Sequence, residues 1–258
     1  MRPTLAVAGV VIKEMFRRKD FYVLFVLTAV ISLMMGSINI FNDDKIARHI
    51  KELCLALIWG ASLVISVICA ARQIPAELES RTLFPLLAKP LGRSQFIAGK
   101  FLGCWAACGL ALVCFYLFFG VLAASRERHW PLANYFQAMG MHWFMLGMVV
   151  ALALAGSLVF AAASSNATIC FSIIASILVL GRHLNHFAIQ EAEPGRSILY
   201  ALYFAIPHLE LFDVRDLIIH DWPPVPWSAC GLAGLYASAY TAILLAASCL
   251  LFRRKSLT

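Results

Sequence analysis

Long apolar runs alternate with short charged ones along the chain, and the lengths of the apolar runs carry the first inference. A hydrocarbon core about 30 Å thick takes roughly 20 apolar residues as helix. Six segments reach or approach that length: Phe21–Phe41, Leu53–Ala71, Phe101–Ala124, Ala138–Ala163, Thr168–Gly181 and Pro226–Phe252. The fifth is short and extends to about Phe187. Ahead of them, Ala8, Val11, Ile12, Met15 and Phe16 follow the spacing of one helix face, with Lys13, Glu14, Arg17 and Arg18 on the other. A basic amphipathic helix of this kind, over residues 4–20, is expected to lie in the membrane interface rather than to extend the first span inward. Residues 182–225, between the fifth and sixth segments, are too many for a bare turn. Within them "ILYALYFAIP" (Ile198–Pro207) is apolar but too short to cross, which predicts a re-entrant or extracellular cap. The pattern as a whole predicts an all-α membrane protein with six transmembrane helices, a single domain over residues 1–258.

Composition supports lipid as the main solvent. The chain is 62% apolar and 14% charged, against about 45–50% and about 25% in soluble domains. The first apolar run begins only at Phe21. It is longer than the roughly 7–15 residues of a cleaved signal, so an uncleaved first span is expected. The eight cysteines lie in or beside apolar runs and form no CxxC. They read as small apolar packing residues rather than metal or redox ligands.

Charge adds orientation. The formal net charge is +7. Thirteen Lys and Arg fall in the N-terminal segment, the stretch after the second span and the C-terminus, and eight fall on the opposite side. The positive-inside bias therefore puts both termini and that stretch in the cytoplasm, with the chain multi-pass in the cell membrane. With four acidic residues on the first side and ten on the other, the two sides carry +9 and −2. The basic excess reads as topology and contact with anionic lipid. No basic groove with interleaved aromatics supports nucleic-acid binding.

The predicted spans contain no Asp, Glu, Lys or Arg in their interiors, and His142 is the one histidine within them. Ion-coupled secondary transporters usually carry titratable groups at that depth, so this alternative is disfavoured and energy is expected from elsewhere. Gly156-Ser157 with His142 raises intramembrane proteolysis. Fifteen residues of continuous helix separate the two by about 22 Å, and Ser157 reads better as a small packing residue. His183 and His186 share a helix spacing but fall short of the three or four ligands a metal site needs.

The stretch "ELESRTLFPLLAKPLGRSQFIAGK" (Glu77–Lys100) separates two of the apolar runs. Its Gly99-Lys100 pair is not a nucleotide loop, which requires GxxxxGK and Ser or Thr; here Gly92 lies seven residues before Gly99 and Phe101 follows. The stretch resembles instead the segment between spans two and three of the ABC-2 family of ATP-binding-cassette exporter permeases. The acidic, Thr-hydrophobic, Leu-Leu, Pro, Arg and Gly-Lys pattern is met by Glu77 and Glu79, Thr82-Leu83, Leu86-Leu87, Lys89-Pro90, Arg93 and Gly99-Lys100. Arg81 stands where Gly is frequent and Gly92 where a capping Ser is common, which leaves the local turn geometry open. The order of amphipathic helix, six spans, inward termini and outer insertion is similar to that family from end to end.

The resemblance implies a permease subunit without catalytic residues or a cofactor of its own. Residues 72–100 would carry a cytoplasmic coupling helix docked on a separate ATPase subunit, which binds ATP and Mg. Leu83, Phe84, Leu86 and Leu87 would fill the ATPase groove. Glu77, Glu79, Arg81 and Arg93 would form rim ion pairs or brace the loop against the interfacial helix, with Pro90 in the loop and Lys100 snorkelling to the headgroups. A smaller contact would lie at "SSNAT" (Ser164–Thr168), read as the short inner loop between spans four and five. Two permease chains, expected as a homodimer, would work with two ATPase copies. Ser172 and Ser176, four apart on span five, would face the pathway or a helix neighbour. The cargo is left open, and a membrane scaffold recruiting a cytoplasmic partner through the same loop is the second alternative.

Overall fold

The computed structural model describes residues 2–37, 44–80, 92–127, 131–190 and 193–254, and these form helices and short connections with no strand among them. In chain order the helices are α1 (Arg2–Phe16), α2 (Lys19–Ser37), α3 (Asp44–Ala71), α4 (Pro75–Glu79), α5 (Arg93–Glu127), α6 (Leu132–Val159) and α7 (Ala163–Gln190). Then come α8 (Gly195–Ala205), a 3-10 turn (Leu209–Phe212), α9 (Asp216–Ile219) and α10 (Trp227–Arg254). Among the described residues five helical stretches are long and apolar enough to cross a membrane: Arg48–Glu79, Arg93–Ala123, Leu132–Val159, Ala163–Gly181 and Trp227–Arg254. They correspond to the second to sixth predicted spans. The first predicted span falls on α2, where the described apolar stretch Phe25–Met34 is shorter, and its residues 38–41 lie outside the described part.

Helices run past the apolar boundaries because a backbone leaving hydrocarbon keeps its hydrogen bonds until water can replace them. α3 therefore begins at Asp44 and α5 at Arg93, each well before the apolar run that predicted it. The start of α5 has a local cause. Gln95 Oε1 accepts a hydrogen bond from the Gly92 N–H (3.2 Å), and Phe96 N–H donates to Gly92 O (3.0 Å). This is one arm of a capping box, and Gly is nearly as good an N-cap as Thr. The α6–α7 connection is only Phe160–Ala162. Ser164–Thr168, expected as that connection, is instead the first turn of α7.

α6 is the central helix, packed by α3, α5, α7 and α10. Most of its apolar stretch is buried, whereas little of that of α7 or α10 is, the least among these five stretches. α5 and α6 are joined by a reciprocal tryptophan clasp. Trp105 and Trp143 stack at 4.4 Å, and each indole N–H donates to the other's carbonyl (3.0 and 3.1 Å). Each ring lies over the glycine one turn beyond its partner, Trp143 on Gly109 and Trp105 on Gly147.

The amphipathic α1 has the predicted apolar face, but that face meets protein. Ala8, Val11 and Met15 are buried, and α1 lies against α5. A Cβ on Gly99 would come 2.8 Å from Val7 Cβ, and one on Gly103 2.6 Å from Val11 Cβ. The Gly-x-x-x-Gly spacing brings two backbones together here. Lys13, Glu14 and Arg17 are exposed on the opposite face and Arg18 is half-buried. α1 ends at Phe16, so the predicted interval of 4–20 spans the end of α1 and the start of α2.

Candidate functional site: a charged junction and a roofed groove

The first site lies where α3, α4 and α5 meet. Arg81, Leu83, Phe84, Leu86, Leu87 and Pro90 lie outside the described residues; Glu77, Glu79, Arg93 and Lys100 frame them. Pro75 at the first position of α4 starts a helix where its missing N–H costs nothing, and this sets Glu77 facing α5. Lys100 is buried, 3% exposed. It forms an ion pair with Glu77 Oε1 and donates to Gln73 Oε1 (3.1 Å), while Gln73 Nε2 donates to Cys69 O (3.2 Å). The ammonium also lies 5.6 Å from the Phe96 ring centroid. Lys100 does not reach for headgroups as its position at the edge of an apolar run suggested. A carboxylate within reach lets the ammonium stay inside, because a buried charge is tolerated when paired and hydrogen-bonded.

Arg93 is not at a loop rim either. Its guanidinium donates to the carbonyls of Phe252 and Arg253 (3.0 Å each) and lies over the Phe252 ring. These are carbonyls at the C-terminal end of α10, which have no partner within the helix. Arg93 thus ties the start of α5 to the end of α10. Glu79 is exposed.

Two polar ties were missed by the sequence reading. Asn166 is fully buried and donates to Ala153 O (2.9 Å) and Ala71 O (3.4 Å), joining α7 to α6 and to the end of α3. Its signal was an amide at the edge of an apolar run, the type of residue that links membrane helices by hydrogen bonds. Ser62 on α3 meets His142 Nε2 on α6 at 2.8 Å. The Ser62 hydroxyl also lies within donating distance of the Trp59 carbonyl (2.9 Å). Ser157 lies further along the same unbroken α6, with its hydroxyl bonded to Leu154 O at 2.6 Å.

At the opposite end, the segment after α7 folds back over the bundle. Buried Asn134 donates to Leu217 O (2.9 Å) and Trp222 O (3.0 Å). Gln137 exchanges two hydrogen bonds with the Val225 backbone (2.7 and 3.0 Å). Arg215 is held by Asp213 in a bidentate pair (2.6 and 2.7 Å) and stacks its guanidinium over Trp59. The hydrogen bonds to Asp213 push the Arg215 pKa up against the effect of burial. The long insertion is therefore a sidechain-anchored cover, with α8 lying along α7.

Beside this cover an open groove of about 640 Å³ lies between α6, α7 and α10, with Ile206, Pro207 and Leu209 also lining it. Ser172 and Ser176 both line it, and each hydroxyl donates to its own helix, to Thr168 O (3.0 Å) and Ser172 O (2.8 Å). The wall is otherwise apolar but for Tyr240. Among the described residues no three His, Cys, Asp or Glu side chains converge on a possible metal position. His183 is exposed, and the His186 side chain lies outside the described part.

These features are those of a polytopic helical protein with a charged junction at one end and a sidechain-anchored cover at the other. No curated protein matches the sequence at a significant level. The family described as ABC-2 family transporter protein matches residues 5–257, nearly the whole chain. Membership carries the role of a membrane transport subunit that is not itself catalytic and that generally works with an ABC ATPase. The chain belongs to the ABC-2 family of transporter proteins.

Proposed function

We propose that the chain is the permease subunit of an ATP-driven exporter. It has six spans with both termini in the cytoplasm, and works as a homodimer with two copies of a separate ATPase that binds ATP and Mg. The family match over residues 5–257 carries this reading. The charged junction supports the mechanism. The coupling segment proposed within residues 72–100 has α4 and the start of α5 at its described ends, and Glu77–Lys100–Gln73 ties those helices to the end of α3. Arg93 adds α10 and the Gly99/Gly103 contact adds α1. Force applied by the ATPase to the loop then reaches five helices as a rigid unit, the type of transition that packed interfaces convert into discrete states.

Charge reversal at exposed Glu79 tests the contact directly. Purified with its copurifying ATPase and reconstituted into vesicles, Glu79→Lys is expected to weaken ATPase stimulation while leaving the permease folded. An ATPase that fails to copurify with the wild-type chain, or efflux that survives an inactive ATPase and collapses with the ion gradient, overturns the reading.

A further inference from the structure

The face that α3 and α4 turn to α5 and α6 is polar at every turn. Ser62, Ser66, Cys69, Gln73 and Glu77 follow one another at steps of three or four residues, the spacing of one helix face. All but Glu77 are buried. Their partners on α5 run the other way, one turn apart. Lys100 meets Glu77 and Gln73, Cys104 meets Cys69 with 3.5 Å between the sulfurs, and Cys108 lies beside Ser66. Ser62 meets His142 Nε2 on α6 (2.8 Å). From Ser62 to Glu77 this seam covers about 22 Å of helix, most of a hydrocarbon core about 30 Å thick. Polar groups at that depth are costly unless they are paired. Among the described residues, buried side-chain nitrogen and oxygen atoms without a partner occur at the two ends of the seam and at none of the positions between. They are Glu77 Oε2 at one end, and Trp59 Nε1 and His142 Nδ1 at the other.

Because polar groups recur at one-turn steps on both sides, the seam is matched in a second register. Moving α3 by one turn, about 5.4 Å, toward the cover puts Glu77 where Gln73 stands, against Lys100. It brings Gln73 to Cys104, Cys69 to Cys108 and Ser66 to His142. Each polar group of α5 and α6 on the seam then keeps a partner. Glu77 Oε2 holds the unused acceptor capacity that Lys100 needs once Gln73 moves on. The side chains in mid-seam are serine and cysteine, small enough to pass one another. The slide gives up the long bond from Asn166 to Ala71 O (3.4 Å). Trp59 and Lys51, which meet Arg215 and Asp221 of the cover, travel with α3.

We propose that α3 has two registers against α5 and α6, one helical turn apart, and that exchange between them carries the state of the charged junction to the cover. Within either register the junction is a rigid unit, tied through Glu77 and Lys100. The exchange of partners between registers is the discrete step, of the one-turn kind that packed helices allow. That this step is the transport stroke rests on the exporter reading, whereas the two registers do not.

The test uses the full-length protein in nanodiscs without ATPase, so that it fails independently of the efflux assay above. Cys69, Cys104 and Cys108 are kept and the other five cysteines replaced by alanine, so that Cys69 links to one partner or the other under copper–phenanthroline oxidation. The Cys69–Cys104 link is expected to predominate. Ser62→Ala with Gln73→Leu removes two partners of the first register. It is expected to raise the ratio of Cys69–Cys108 to Cys69–Cys104 links about tenfold. Adding Ser66→Ala withdraws the second-register partner of His142 and is expected to reverse that gain. A helix that is only loosened would gain further. That result, or a ratio unmoved by the first two substitutions, overturns the proposal. Ser62→Ala alone, expected to move the ratio the same way, replaces the pair if the pair is not monodisperse. The stroke is tested separately, with spin labels at exposed Leu53→Cys and Leu102→Cys in a cysteine-free background. With the ATPase present and trapped by ATP and vanadate, their separation is expected to lengthen by about 5 Å; an unchanged separation overturns the link to transport.

Discussion

Lys100 is the residue whose surroundings most change its meaning. On the sequence it closes a charged stretch; in the fold it is a buried cation held by Glu77 and Gln73. Removing one member of a buried pair leaves an uncompensated charge and costs about 3–5 kcal/mol, whereas replacing both by apolar residues of similar size is often neutral. Glu77→Lys is therefore expected to lower the unfolding midpoint in detergent sharply, and the exchanged pair Glu77→Lys/Lys100→Glu to recover part of the loss. Glu77→Leu/Lys100→Met is expected to keep near-wild-type stability. If it also retains full ATPase stimulation, the pair serves folding alone and the junction role is wrong. The same logic separates Glu77 from Glu79: reversing both together confounds a broken core with a lost contact, and only Glu79 is exposed.

Away from the charged junction, helices in this protein meet through small residues and indoles. At the α1–α5 contact, Gly103→Leu places a side chain where Val11 already lies. Overpacking of this kind costs about 1–3 kcal/mol, and here it is expected to release α1, read as faster proteolysis after its exposed basic face. The α5–α6 clasp gives a second expectation. Trp105→Phe and Trp143→Phe each remove one indole donor, worth about 0.5–1.5 kcal/mol, and the two losses are expected not to add because the rings share one stack. At the cover, Asn134→Ala with Gln137→Ala removes the hydrogen bonds to Leu217, Trp222 and Val225. Hydrogen exchange over residues 209–225 is expected to quicken while α6 stays protected.

For the whole molecule, topology is the property that the charge bias and the helices approach from different sides. Single cysteines in a cysteine-free background, probed with a membrane-impermeant thiol reagent, are expected to place Ser80 with the C-terminus on one face and Asp221 on the other. Ser80 and Asp221 labelled from the same face would remove the six-span arrangement. Much of the architecture was legible in the apolar run lengths, because hydrocarbon thickness sets a length that sequence displays directly. The predicted segments at Leu53, Phe101, Ala138, Thr168 and Pro226 each overlap a helix long enough to cross, although the one at Ala138 runs past Val159 into the connection Phe160–Ala162. The site was less legible. Lys100 lay in the apolar boundary without its partner in view, and Ser164–Thr168 read as a loop because polar residues at a helix start resemble a turn.

By itself the sequence determined the helical class, the approximate places of five of the spans, the amphipathic face of α1 and the family, since each depends on local periodicity or on residues close along the chain. Ser172 and Ser176 were legible only as two small hydroxyls on one face. Tertiary structure alone decided that they line a groove, that α1 lies against Gly99 and Gly103, that Arg93 caps α10, and that Lys100 is paired inside. Those outcomes depend on contacts between residues far apart in the chain. Arg93 and Phe252 are 159 positions apart, and no local pattern records such a meeting.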